Sequence, residues 1–180
     1  ISHGISVSSV SGTHFSYDLT SNQLLRVWRG GFLDATPMWD SRGNGVSLPI
    51  GVVTELSEGT PLFNNADMSA VTKEWQAKGY QVLGDGAVRF TSKSKDGLEL
   101  KDQIQVKSDG KGVDRTIELA GNSAPMMIRV APGKVLTEVA DDLYWIEDSG
   151  LFVKVNVSGQ KPQVGADGIF LPITTSLSYS

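Results

Sequence analysis

Alternation of apolar and polar residues, one by one, recurs along almost the whole chain and constrains the fold more than any other feature. It is visible in GISVSSV, THFSYDL, QLLRVWRG, GAVRFTSKS, LELKDQIQVKS, DRTIELAG, PMMIRVA, DLYWIED, LFVKVNVS and IFLPITTSLSYS. A period of two sends successive side chains to opposite faces, so each segment reads as a strand with one buried side. Turn chemistry sits between them. Four Asp-Gly pairs (Asp85-Gly86, Asp96-Gly97, Asp109-Gly110 and Asp167-Gly168) and the Asn22 region offer residues that tolerate the positive φ of tight hairpins. These spacings predict roughly ten to fourteen short strands. The one candidate helix is NADMSAVTKEWQAKG, residues 65–79, whose composition suits a loop almost as well.

Many short strands without intervening amphipathic helices predict an all-β fold, an antiparallel β-sandwich with at most one short helix. The large mutarotase-like super-sandwich is one form of it. A propeller is the competing architecture, and FSYDLTSNQLLRVWRG has the strand, turn, strand form of a blade. No second copy follows at the period of about 40 to 50 residues that blades require. A length of 180 residues suits a single domain over residues 1–180. Strand-like segments at both ends, ISHGISVSSV and ITTSLSYS, point to a mature product or an excised piece of a longer protein.

Composition excludes several classes of function. The net charge is −4, with no concentrated basic run, so no nucleic-acid partner is expected. The chain has no cysteine, which removes disulfides, thiol catalysis, iron–sulfur clusters and covalently attached haem. No apolar run of about 18 residues offers a membrane span. Phosphate-binding loops, the Gly-x-Ser-x-Gly elbow and the His-Glu-x-x-His zinc motif are all missing from the sequence. KSDGKG and SKSKDG lack the oxygen series of a calcium loop and read as turns. No cofactor and no metal site is expected.

The densest chemistry lies in LLRVWRGGFLDATPMWDSRGNG, which holds Trp28, Arg29, Phe32, Asp34, Trp39, Asp40 and Arg42. One reading is a sugar-binding lip, in which an indole stacks on a pyranose face while Arg and Asp bond its hydroxyls. The other is structural: Trp28 and Phe32 in the core, Arg29 or Arg42 paired with Asp34 or Asp40, and Gly30-Gly31 forming a bulge. Glycoside hydrolysis would need two carboxyls across a cleft, for which Asp34 with Asp40 is one choice and Glu55, Glu74 or Asp102 are others. His3 and His14 have the pKa range of an acid or base, but their places near an edge and a turn predict solvent-facing side chains.

Three stretches resemble a known kind of region. They are HFSYDLTSNQLLRVWRGGFLDATPMWDSRGNG, KGYQVLGDGAVRFTSKSKDGLELKDQIQVKSDGKGVDRTIEL, and MMIRVAPG with the closing LPITTSLSYS. The features that carry the likeness are Tyr17-Asp18, Trp28 with Gly30, Phe32, Leu33 and Asp34, Pro37 with Trp39, Arg42-Gly43, Gly79-Tyr80 and the run from Asp109 to Thr116. The chain looks like the accessory β-sandwich of large exported bacterial proteins of the Bacteroidetes and Planctomycetes type. Those proteins carry c-type cytochrome, glucose/sorbosone-dehydrogenase-like or 3-keto-disaccharide hydrolase domains. The resemblance implies a periplasmic or extracellular, non-catalytic module of a sugar-processing protein, whose partner is a carbohydrate or a neighbouring domain of the same polypeptide. Asp34, Trp39, Asp40 and Arg42, in a Pro- and Gly-flanked loop, are the ligand-binding rim it suggests. Two alternatives stand beside it. One is a mutarotase-like, lyase or hydrolase enzyme using the rim carboxylates; the other is a structural subunit, an oligomer assembling through edge strands such as ITTSLSYS.

Overall fold

The computed structural model describes residues 3–40, 45–56, 60–121, 124–157, 159–166 and 168–180. The protein is all-β, with antiparallel pairing throughout and sixteen strands among the described residues. The central layer is a five-stranded sheet in the order β16-β9-β8-β7-β6, formed by Ser176–Tyr179, Val113–Ala120, Glu99–Val106, Val88–Ser94 and Trp75–Val82. Its inner face follows from the period-two pattern: Leu100, Asp102, Ile104 and Val106 of β8 are buried while their neighbours are half-exposed. Asp85-Gly86, Asp96-Gly97 and Asp109-Gly110 each place the glycine at positive φ in a hairpin turn. Asp167 lies outside the described residues. Asn22 takes φ 57° with its side chain buried, its Oδ1 accepting the Ser92 hydroxyl.

Two sets of strands cover that inner face. A sheet of β1 (Gly4–Ser8), β2 (Thr13–Asp18), β3 (Gln23–Asp34) and β4 (Leu48–Glu55) lies over one end, where Phe15, Tyr17 and Leu24 meet Val88, Phe90 and Ile104. Tyr17 stacks flat on Phe90, ring centroids 3.9 Å apart. Over the other end lie β5 (Leu62–Asn64), β10 (Met126–Ala131), β14 (Gln163–Val164) and β15 (Ile169–Ile173), joined by β11 (Leu136–Ala140), β12 (Leu143–Ile146) and β13 (Leu151–Lys154). Their Ile128, Ile146, Val153 and Leu171 pack with Leu100, Ile117, Leu119 and Leu177. Burial of each such side chain contributes about 1.5–3 kcal/mol, which is why these two clusters, with a smaller third of Phe63, Met127 and Phe170, suffice to order so many short strands.

Where the clusters meet, the inner face carries charge. Asp102 and Arg115 are 1% and 2% exposed, and Arg115 grips the carboxylate through Nε, 2.9 Å from Oδ1, and through Nη2. Its Nη1 donates to the Tyr179 hydroxyl at 2.8 Å, while the Tyr17 hydroxyl bonds Asp102 from the facing sheet. Burial and the adjacent Asp102 carboxylate push Tyr17 well above the ordinary tyrosine range, and burial raises Tyr179 too. As pH rises, the unfolded chain loses these protons first, near pH 10. Stability from the two phenols is therefore complete below that pH and is lost progressively above it. Thermal melts should stay level from about pH 7 to 9 and fall steeply beyond about 10, and Tyr17→Phe should make the fall shallower. An alkaline limb unaltered by that change would remove Tyr17 from the account.

The structure corrects several expectations. Residues 65–79 form no helix: Asn64 and Ser69 close a turn, Phe63 bridges Ala70, and Trp75 begins strand β6. Val71 and Trp75 pack on the larger core cluster, and that burial outweighs a weak local helix preference. His14 is buried, not solvent-facing, because its strand position turns it toward Trp28. Phe32 is 38% exposed, lying along the Trp28 ring but outside the core. The edge formed by ITTSLSYS is also covered: Lys154 and Ser180 exchange both backbone hydrogen bonds, and Asn156 N–H donates to Ser178. At the opposite edge of that sheet, β6 carries an irregularity between Ala77 and Gly79. Among the described residues no helix is long and apolar enough to cross a membrane.

Candidate functional site

Past Trp28 the paired strands β3 and β4 leave the core as a two-stranded arm. From Arg29 to Asp34 and from Leu48 to Val52, side chains on both faces are exposed or at most half-buried. The pair Gly30 and Gly51 marks a close crossing of the two backbones, and it explains the first glycine of the Gly-Gly. A Cβ on Gly30 would sit 2.5 Å from the Ile50 carbonyl oxygen, and one on Gly51 would sit 2.0 Å from that of Arg29. Both glycines also take positive φ, +138° and +146°, where L side chains are strained. Immediately beyond, the register slips between Gly31 and Leu33, a bulge at Phe32.

Two ring nitrogens hold this crossing. Trp28 Nε1–H donates to the carbonyls of Gly31 and Phe32, at 3.0 and 2.9 Å. His14 Nε2 lies 3.1 Å from the Gly30 carbonyl while its Nδ1 accepts the Ser9 N–H, a pattern that fits the neutral ring with the proton on Nε2. Sequence reasoning missed this role for His14. Alternation in THFSYD gave no signal for it, since that parity puts His14 on the face opposite Phe15 and Tyr17; the β2–β3 register, which sets His14 across from Trp28, is what buries it.

At the arm's end, Thr36–Asp40 form a single helical turn, α1, where a loop was expected. Pro37 suits a first turn because its missing N–H has no helical acceptor to lose. The Asp34 carboxylate accepts the Thr36 N–H at 2.9 Å, and its bonds to Thr36 hold it below the usual carboxylate range. Trp39, 84% exposed, stands on this turn beside exposed Asp40. Arg42 lies outside the described residues. The turn thus brings Asp34, Trp39 and Asp40 to one end of the arm, all of them solvent-facing.

The alternative carboxylates are dispersed. Glu55 pairs with Arg26 at 3.3 Å across β3 and β4, and Glu74 pairs with Lys95 on the surface. Asp102 is the buried partner of Arg115. A cleft of about 710 Å³ opens at the base of the arm, and Asp34, Trp39 and Asp40 do not line it. Comparison with models of protein families, with curated proteins and with solved structures finds no match to this chain.

Proposed function

We propose that this protein is a non-catalytic docking module that recognises another protein surface, a neighbouring domain of its own polypeptide in the first instance, through the β3–β4 arm. The observation that carries the reading is the clustering of exposed apolar side chains there. Phe32, Met38, Trp39, Val46, Leu48, Ile50 and Val52 are all large, apolar and exposed within one ribbon. An apolar surface of that extent marks a contact region, because leaving it in water has no folding benefit. The close crossing at Gly30 and Gly51, with the hydrogen bonds of Trp28 and His14 to it, restrains the ribbon, which lowers the ordering cost of binding. A periplasmic or cell-surface setting in a sugar-processing protein is the part of this reading that rests on the family resemblance.

One observation favours carbohydrate as a second occupant: the Trp39 indole is flanked in sequence by the carboxylates of Asp34 and Asp40, the pairing of stacking face and hydroxyl acceptors that sugars use. The two readings separate experimentally. Trp39→Ala combined with Leu48→Ser should alter stability by no more than about 0.5 kcal/mol, as surface substitutions do. A drop of many degrees in Tm would make the arm part of the fold and end the docking proposal. Binding to an immobilised glycan that Trp39→Ala abolishes would replace the protein partner with a sugar.

A further inference from the structure

The cleft at the arm's base has a chemistry of its own. Its volume, about 710 Å³, falls in the range of roughly 300–1,000 Å³ typical of small-molecule sites. Aliphatic side chains from both halves of the molecule line it, among them Leu24, Leu56, Val130, Leu143 and Val153. Every charged side chain among the described lining residues is a cation: Arg29 from β3, Lys107 and Lys111 from the β8–β9 turn, and Lys154 from β13. Lys107 is shared with Asp114 at 3.8 Å. Arg29, Lys111 and Lys154 have no carboxylate partner among the described residues.

That concentration runs against the protein as a whole, whose net charge is −4. Acids outnumber bases over the chain, yet three separate elements bring only bases to one apolar cavity. Like charges beside low-dielectric walls repel one another and focus a positive potential into the cleft, and a bound anion relieves that repulsion. Aliphatic walls in turn favour an apolar body over a fully hydrated ion such as free phosphate. We propose that the cleft binds an amphipathic organic anion, with its headgroup at Arg29, Lys111 and Lys154 and its hydrocarbon body against the aliphatic wall.

Calorimetric titration with decanoate, below its self-association concentration, tests this directly. Saturable one-to-one binding is expected. Decyltrimethylammonium, with the same chain and opposite charge, and acetate, with the charge and no chain, should each bind at least about tenfold more weakly. Lys111→Glu with Lys154→Glu should weaken decanoate by about tenfold or more. Gly112 lies in the lining, and a Cβ there meets nothing nearer than Lys107 Cδ at 4.0 Å, so Gly112→Phe can fill the cleft without disturbing the backbone. It should abolish binding while the melting transition is retained. Absence of decanoate binding, equal affinity for the cationic chain, or binding unaffected by Gly112→Phe would each overturn the proposal.

Discussion

Asp102→Ala should lower the stability of this protein by about 3–5 kcal/mol, the largest loss expected from any single change described above. In a chain of this length that corresponds to a fall in Tm on the order of 10 °C. The cause is the charge left behind. Arg115 is 2% exposed and cannot shed its proton, so removing its carboxylate strands a cation between two apolar clusters. Exchanging both partners, Asp102→Leu with Arg115→Met, should recover part of the loss, because a buried pair is seldom worth more than good apolar packing. Recovery stays partial while the Tyr17 and Tyr179 hydroxyls lack partners, and adding Tyr17→Phe should restore more. Chemical denaturation of the single and combined variants measures all of this. A single-variant loss below about 1 kcal/mol would show that the network does not join the two halves of the core.

Gly51→Ala comes second, with an expected cost of about 3 kcal/mol from a strained φ combined with a backbone clash. The added Cβ would stand 2.0 Å from the Arg29 carbonyl oxygen, so β3 and β4 must separate at the crossing. The damage should be local. Amide hydrogen exchange is expected to accelerate along β3 beyond Trp28 and along β4, while β7, β8 and β9 keep their protection. Gly84 provides the control, since a Cβ there meets nothing within 4 Å and its φ is ordinary, and Gly84→Ala should be near neutral. Equal effects at the two glycines would mean that the close crossing of Gly30 and Gly51 does not restrain the arm.

The strands were readable because alternation states which face is buried. In ELKDQIQV and VDRTIELA the buried parity is carried by Leu100, Ile104, Ile117 and Leu119, and the structure keeps it without exception. The same parity placed Asp102 and Arg115 inward, a signal for a structural ion pair that a search for catalytic carboxylates does not weigh. Strand β6 was not readable, since apart from half-buried Trp75 its residues are exposed and carry no alternation of buried and open faces. Around Asp34, Trp39 and Asp40, all exposed, the Pro and Gly signals suggested a loop on a sandwich rim, whereas Thr36–Asp40 form a helical turn that follows the long-range pairing of β3 with β4. The cleft had no sequence signal at all, because its lining is gathered from segments more than a hundred residues apart.

The central claim is that the arm's apolar surface exists to be covered by a partner. A photo-crosslinking amino acid, benzoylphenylalanine, at positions 39 and 48 in cells that make the protein tests it most directly, with position 164 as an exposed control on β14. The account predicts that positions 39 and 48 crosslink to one and the same partner segment, in the same polypeptide or another, identified by mass spectrometry of the digested products, with no crosslink from position 164. Indistinguishable, unspecific products from all three positions, with the protein folded, would contradict it.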